Sequence, residues 1–250
     1  PKYESEIALL VNVDTDKINR AQINKLYKEK QSKGEIKNLR EDVLMFETLI
    51  DGVVHFNTTR IVKLDPTNPL DVSKAEVEAR RQVLELIDLL REVPVFAETT
   101  LVSIATSIGV RESRKLKGVH VITAEELKNC TKFEDSIALG NYDIDIHNPE
   151  GAGTSHYYFA PGEYYTIPYR SLLPVEFDNL LTGGRCISAT HEAQASVRIM
   201  PICATMGEAA GVASSMSIAE GISPRSINVK NLQSELIATG GNLGQSMRTI

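Results

Sequence analysis

The chain has 250 residues, 42% hydrophobic and 24% charged, with a formal net charge of −6. That is an ordinary globular balance with room for one large domain or two small ones, and it argues against a nucleic-acid-binding surface. No apolar run reaches the roughly 20 residues of a membrane helix, the opening PKYESE carries no signal-peptide pattern, and Cys130, Cys186 and Cys203, widely spaced and without a CxxC pair, argue against a disulfide framework, a zinc site or a redox dithiol and fit a reducing cytoplasm.

Ile7 to Val13 reads as a strand running into a helix cap, Asp14-Thr15-Asp16. Ile18 to Lys30 is a lysine-rich amphipathic helix, with Ile18, Ile23, Leu26 and Tyr27 on its apolar side. Asp42 to Ile50 and Val53 to Asn57 flank Asp51-Gly52, a hairpin signal, and Ile61 to Leu64 continues in β character. Asp71-Val72-Ser73 caps a helix to about Arg91, with Val77, Val83, Leu84, Ile87 and Leu90 as its core stripe and Pro94 past its end. Leu101 to Ile108 is a further strand ending at Gly109. A mainly antiparallel sheet with helices at its side is therefore expected for this first part.

Gly109 to Arg114 (GVRESR) follows that strand end, where functional residues often sit. Arg111 and Arg114 each offer a planar fork for a carboxylate or phosphate. A charged turn tied by local ion pairs is the other reading. Thr123 with Glu126 forms a capping box. Gly151-Ala152-Gly153 lacks a third glycine, follows no strand and opens no helix, so it is not a dinucleotide turn. Tyr164 to Pro174 (YYTIPYRSLLP) reads as β, and its aromatics are more simply packing than site.

Asp178 to Gly221 holds most of the information. Leu180 and Leu181 end in Gly183-Gly184, the profile of a buried strand stopping at a tight turn, and Arg185 and Cys186 follow. The polar stretch Ile187 to Gln194, containing His191 and Glu192, reads as a loop. A long helix is expected from about Val197 to Ala219, with Arg198, Ile199, Met200 and Pro201 at its start and Gly221 past its end. Ala204, Gly207, Gly211 and Ser214 recur on one side of it and leave that face almost bare. Glycine costs roughly 1 kcal/mol against alanine inside a helix, so either another backbone or a flat ligand must come close. Charge is confined to Arg198 and Glu208, which reads as burial nearly all round. A helix N-terminus there would seat an anion or an electron-rich ring edge, and a ligand-free core helix is the equal alternative. Val229 to Thr239 closes the chain as a helix.

DNLLTGGRCIS, THEA and VRIMPICATMGEAAGVASS, taken together, resemble the C-terminal segment of the FAD-dependent oxidoreductase family, two-domain flavoproteins related in architecture to glutathione-reductase-like and fumarate-reductase-like flavoenzymes. The resemblance runs without a gap from Asp178 to Gly221, and GVRESR, IDIH and IPYRSLLP are further local matches. It implies FAD as cofactor. It implies that Gly183, Gly184, Arg185 and Cys186 pass under the isoalloxazine, and that Val197, Arg198, Ile199, Met200 and Pro201 form the helix start facing the pyrimidine edge. Arg111 and Arg114 would lie near the flavin and the substrate cavity, with Tyr169 and Arg170 as cavity lining and His147 either there or in an ordinary loop. His191 is the candidate for proton transfer, since histidine titrates near neutrality; a loop histidine bonded to Glu192 or backbone is the alternative.

The expected fold is α/β (α+β): residues 1–108 a substrate-side domain with a mainly antiparallel sheet, residues 109–250 the C-terminal strand and helix completing an FAD-binding domain. The family's GxGxxG βαβ unit, which holds the FAD pyrophosphate, is not in this sequence. The chain is therefore expected to be the C-terminal fragment of a longer enzyme, with weak or no FAD binding by itself and no activity alone. Its partner would be a small-molecule substrate, an anionic one suiting the arginines, with neither nucleic acid nor membrane, and homo-oligomer contacts would cover the flavin face. The competing reading is a non-catalytic small-molecule-binding or interaction module on the same fold. A hydrolase finds no support, for there is no GxSxG and no HExxH.

Overall fold

In the computed structural model, which describes residues 2–4, 8–147 and 154–244, the N-terminal sequence folds around its alternating apolar residues. Strands β1 (Lys2–Glu4), β2 (Ala8–Val11), β3 (Met45–Glu47), β4 (Val54–Phe56), β5 (Arg60–Val62), β6 (Thr100–Ile104) and β7 (Gly109–Glu112) form two antiparallel sheets, ordered β3-β4-β2-β6 and β5-β1-β7. The register aligns Met45, Phe56, Ala8 and Ile104 across one face of the first sheet. That face packs with helices α1 (Arg20–Ser32) and α2 (Pro69–Arg91) in a core of Ile23, Tyr27, Val83, Leu86 and Leu90. The Asp51-Gly52 hairpin forms as expected, with Gly52 at φ +73°, a conformation glycine adopts without strain. Gln82 brackets the backbone of Arg60, accepting its N–H at 2.8 Å and donating to its carbonyl at 3.0 Å, which ties α2 to β5.

Helix α2 starts two residues earlier than its sequence suggests, because Asn68 caps it and Pro69 takes a first-turn position where a missing N–H costs nothing. Val77 and Leu84, expected in its core stripe, are 71% and 60% exposed. The inner face is instead Ala75, Ala79, Gln82, Val83 and Leu86. Small alanines let the helix approach its neighbours closely, and hydrophobicity alone does not single them out. The expected strand from Leu101 to Ile108 ends at Ile104 as β6, and β7 begins at Gly109 in the other sheet. Between them Ile108 is buried and donates its N–H to Glu76 Oε1 at 2.7 Å. Gly109 consequently begins a strand, and Arg111 lies within it.

The chain clusters into two units, Pro1–Ser113 with His147–Gly153, and Arg114–Ile146 with Thr154–Ile250. The second contains α3 (Ala124–Lys128), β8 (Ser136–Gly140), β11 (Tyr165–Pro168), α4 (His191–Val197), α5 (Met200–Glu220) and α6 (Val229–Ala238). The hairpin partners β9 (Ile144–His147) and β10 (Thr154–Tyr157) form a separate two-stranded sheet. The capping box at Thr123 and Glu126 is present with both reciprocal bonds. Strands β8 and β11 pair antiparallel, and α5 and α6 pack on them around Ile137, Ile167, Met206, Ala209, Leu232 and Leu236. Gly140 is required there: a Cβ would sit 2.4 Å from the Tyr165 ring. The result is the expected mixed α/β fold with antiparallel sheets and flanking helices. No helix among the described residues is long and apolar enough to cross a membrane. Gly151, Ala152 and Gly153 lie outside the described residues.

Candidate functional site

The strand expected to end at Gly183-Gly184 does not form. Leu180 is exposed, and Thr182 donates its N–H to the Leu172 carbonyl at 3.0 Å. Residues 182–190 are instead stitched in an irregular course to 116–122. Leu116 N–H donates to the Cys186 carbonyl at 2.7 Å, Ile122 N–H to Ser188 at 3.0 Å and Thr190 N–H to Ile122 at 2.8 Å. Gly184 turns the chain at φ +89°. Gly183 answers the question posed by the glycines in part: its Cβ would stand 3.3 Å from the Met206 carbonyl oxygen and 3.4 Å from Gly207, so this segment lies directly on the backbone of α5.

The stretch read as a loop is half helix. Thr190 accepts a hydrogen bond from Ala193 N–H and caps α4, placing half-buried His191 at its first position. The single helix expected from Val197 is two, α4 and α5, broken at Arg198 and Ile199. Pro201 explains the break, since it lacks an N–H and, in a continuous helix, its ring would clash with the Val197 carbonyl four residues back. The break frees a new N-terminus in the middle of the sequence. No side chain caps it, Ile199 being the N-cap residue, and Met200 is 85% exposed there.

Helix α5 is not buried all round. Ile202, Met206, Ala209, Ala213 and Ser217 face the core, whereas Ala204, Gly207, Gly211 and Ser214 are exposed. A Cβ at Gly207 or Gly211 would meet nothing within 4 Å. The low charge of the helix thus reflects a smooth open face as well as a buried one. No salt bridge among the described residues involves Arg114, Arg185 or Arg198. Arg185 and Arg198 both lie close enough to the Cys203 thiol to favour its ionisation, against a larger upward push from burial and a further one from Cys186. The thiol donates to the Arg198 carbonyl at 3.2 Å.

Within the second unit the fold therefore brings Gly183, Arg185 and Cys186 together with Arg198, Ile199, Met200 and Pro201. His191 sits one short helix away from that break, and Arg114 two residues before Leu116. Arg111 belongs to the first unit. Tyr169 is buried with its hydroxyl on the Pro224 carbonyl at 2.9 Å, and Arg170 pairs with Asp135 and lies over the Phe133 ring at 5.1 Å, so both have packing partners. The side chain of His147 lies outside the described residues. Two contributors escaped the sequence reading. Gln194, 1% exposed, holds the Arg185 carbonyl through Nε2 at 2.5 Å while its Oε1 has no donor. Cys203 looked isolated because its neighbours come from a distant loop.

An uncapped helix start, two arginines without carboxylate partners and a side-chain-free helix face suit a flat, electron-rich ring that accumulates negative charge. The residues fit an isoalloxazine. The family model for FAD dependent oxidoreductase matches residues 6–236, nearly the whole chain. The chain belongs to the FAD-dependent oxidoreductase family. Comparison with curated proteins and with solved structures gave no match.

Proposed function

We propose that the α4–α5 break and the bare face of α5 form the isoalloxazine side of the FAD site, and that the protein transfers a hydride or electrons between FAD and a small, anionic substrate. The observation that carries this reading is the exposed face of Gly207 and Gly211, which no neighbouring side chain uses. Bound FAD supplies the redox chemistry. The chain's own residues do the rest. Met200 and its neighbours present backbone N–H groups toward negative charge, and Arg185 and Arg198 add fixed positive charge beside them. Arg114 holds an anionic substrate, and His191 carries the proton that balances transfer. FAD's pyrophosphate would be held by residues outside this stretch, and a reducing cytoplasmic setting suits the three free cysteines.

The test is titration of FAD against the chain, following quenching of flavin fluorescence, with Gly207→Leu as comparison. Quenching lost in the variant supports the site; equal quenching in both removes α5 from it. His191→Ala in the flavin-loaded enzyme should slow flavin reduction at saturating substrate by ~10²-fold or more, the usual scale of acid–base catalysis; an unchanged rate would exclude His191.

A further inference from the structure

Cys186 and Cys203 are separated by sixteen residues of sequence, including all of α4, which is why no motif links them. The fold cancels that distance. Gly183 rests on the backbone of Met206 and Gly207, and the Cys186 Sγ is 3.6 Å from the Gly183 carbonyl oxygen. Cys203 stands three residues before Met206 and four before Gly207, one turn along the same helix and on the side of that contact. The two thiols therefore flank one junction between the 183–186 turn and the first turn of α5. Their surroundings differ in a useful way. Cys186 is exposed, while Cys203 is half-buried with its thiol on the Arg198 carbonyl. Arg185 and Arg198 offset part of the upward push that burial exerts on the Cys203 thiol. Cys186 adds a smaller upward push of its own.

We propose that Cys186 and Cys203 form a peroxide-responsive thiol pair that closes to a disulfide joining the 183–186 turn to the start of α5. Cys186, the accessible sulfur, attacks the peroxide. The O–O bond breaks, a sulfenic acid forms at Cys186 and one water leaves with the proton of the thiol. The Cys203 sulfur then attacks the sulfenic sulfur, the S–S bond forms, and hydroxide departs with the Cys203 proton as a second water. Two thiols lose two electrons, and one hydrogen peroxide becomes two waters. Closure draws on the exposed Cys186 side chain, while the backbone of its turn stays held by Leu116 N–H on the Cys186 carbonyl and Gln194 Nε2 on the Arg185 carbonyl. Cys130, the third cysteine, lies on a separate turn after α3 and serves as the internal reference.

This inference does not rest on the flavin reading, because its readout is thiol chemistry in the absence of flavin. The full chain is treated with stoichiometric hydrogen peroxide, and free thiols are counted before and after under denaturing conditions. The expected result is a fall from three thiols to one, with a peptide linking Cys186 to Cys203 by mass spectrometry and restoration to three by a dithiol reductant. Cys186→Ser should keep both remaining thiols at that dose. Cys203→Ser should stop at a sulfenic acid on Cys186, trapped by dimedone, with no intramolecular disulfide. Retention of three thiols in the wild type, a disulfide that includes Cys130, or crosslinks only between chains would each overturn the proposal.

Discussion

Glycine is the residue that reports most clearly on this fold, and its positions fall into two kinds. Gly183 is structural: any Cβ presses into the backbone of Met206 and Gly207, which cannot swing aside as a flexible side chain would. Gly183→Ala should therefore destabilise the chain by about 1–3 kcal/mol, the usual range for overpacking, seen as an earlier urea midpoint with unchanged slope. Gly207 and Gly211 have open space and helical geometry, so Gly207→Ala should raise stability by up to about 1 kcal/mol through helix propensity. A residue whose replacement improves the fold is retained for something other than folding, and the same alanine variant should weaken flavin binding while it strengthens the helix. Equal destabilisation by both substitutions would show that Gly207 too is a packing glycine. From the sequence the spacing of these glycines was visible, but not which of them another backbone approaches, since the partner at Gly183 is the distant backbone of Met206 and Gly207 in α5.

Among the elements, those bounded by local chemistry were legible and those bounded by tertiary contacts were not. The Thr123–Glu126 capping box, the Gly52 turn and the αL Gly221 that ends α5 all form where their residue types dictate. Thr123→Ala removes one half of the box, leaving Glu126 N–H without its acceptor. It should cost about 1 kcal/mol, measurable as a lower thermal midpoint, and Thr123→Ser should restore it. The 178–184 run fails as a strand because no neighbouring strand offers it a ladder, which an apolar pair and two glycines cannot reveal. The α4–α5 break was legible in principle. Pro201 disfavours a continuous helix, and Thr190 three residues ahead of Ala193 is a cap in its own right; reading the segment by hydrophobic period joined what proline divides. Since the break supplies the free N-terminus, this one misreading hid the local geometry around Arg198 to Pro201.

For the molecule as a whole, each unit carries its own apolar core, and each core encloses tyrosines whose hydroxyls ionise with difficulty. Burial pushes Tyr169 up to about 12 from an ordinary value near 10, and it pushes Tyr27 and Tyr165 higher still. Between those values the folded chain keeps protons that the unfolded chain releases. Stability is therefore fully present below pH 10 and falls as pH rises through the folded values. Denaturant midpoints should be flat with pH up to about 10 and then decline. Tyrosinate absorbance for these residues should appear together with unfolding, not ahead of it. Tyr169→Phe, losing its bond to Pro224 but not its ring, should flatten part of that alkaline decline; no change in slope would mean that its hydroxyl is reached by solvent. Composition and charge foretold a globular chain with a substantial core, and alternation foretold the antiparallel sheets. The division at Ser113–Arg114, with Arg111 and Arg114 falling in different units, depends on which contacts each strand finds and leaves no mark in the local sequence.

The open face of α5 has an entropic side. A long side chain held still by a ligand gives up roughly 0.5–1.5 kcal/mol of rotamer freedom, whereas alanine and glycine have none to lose. A planar molecule laid along Ala204, Gly207 and Gly211 would freeze only itself. Such a surface binds economically, but it cannot remould: with no rotamers to shift, it fits by contour alone, tolerating flat partners of varied chemistry and refusing any that carries a substituent toward the helix.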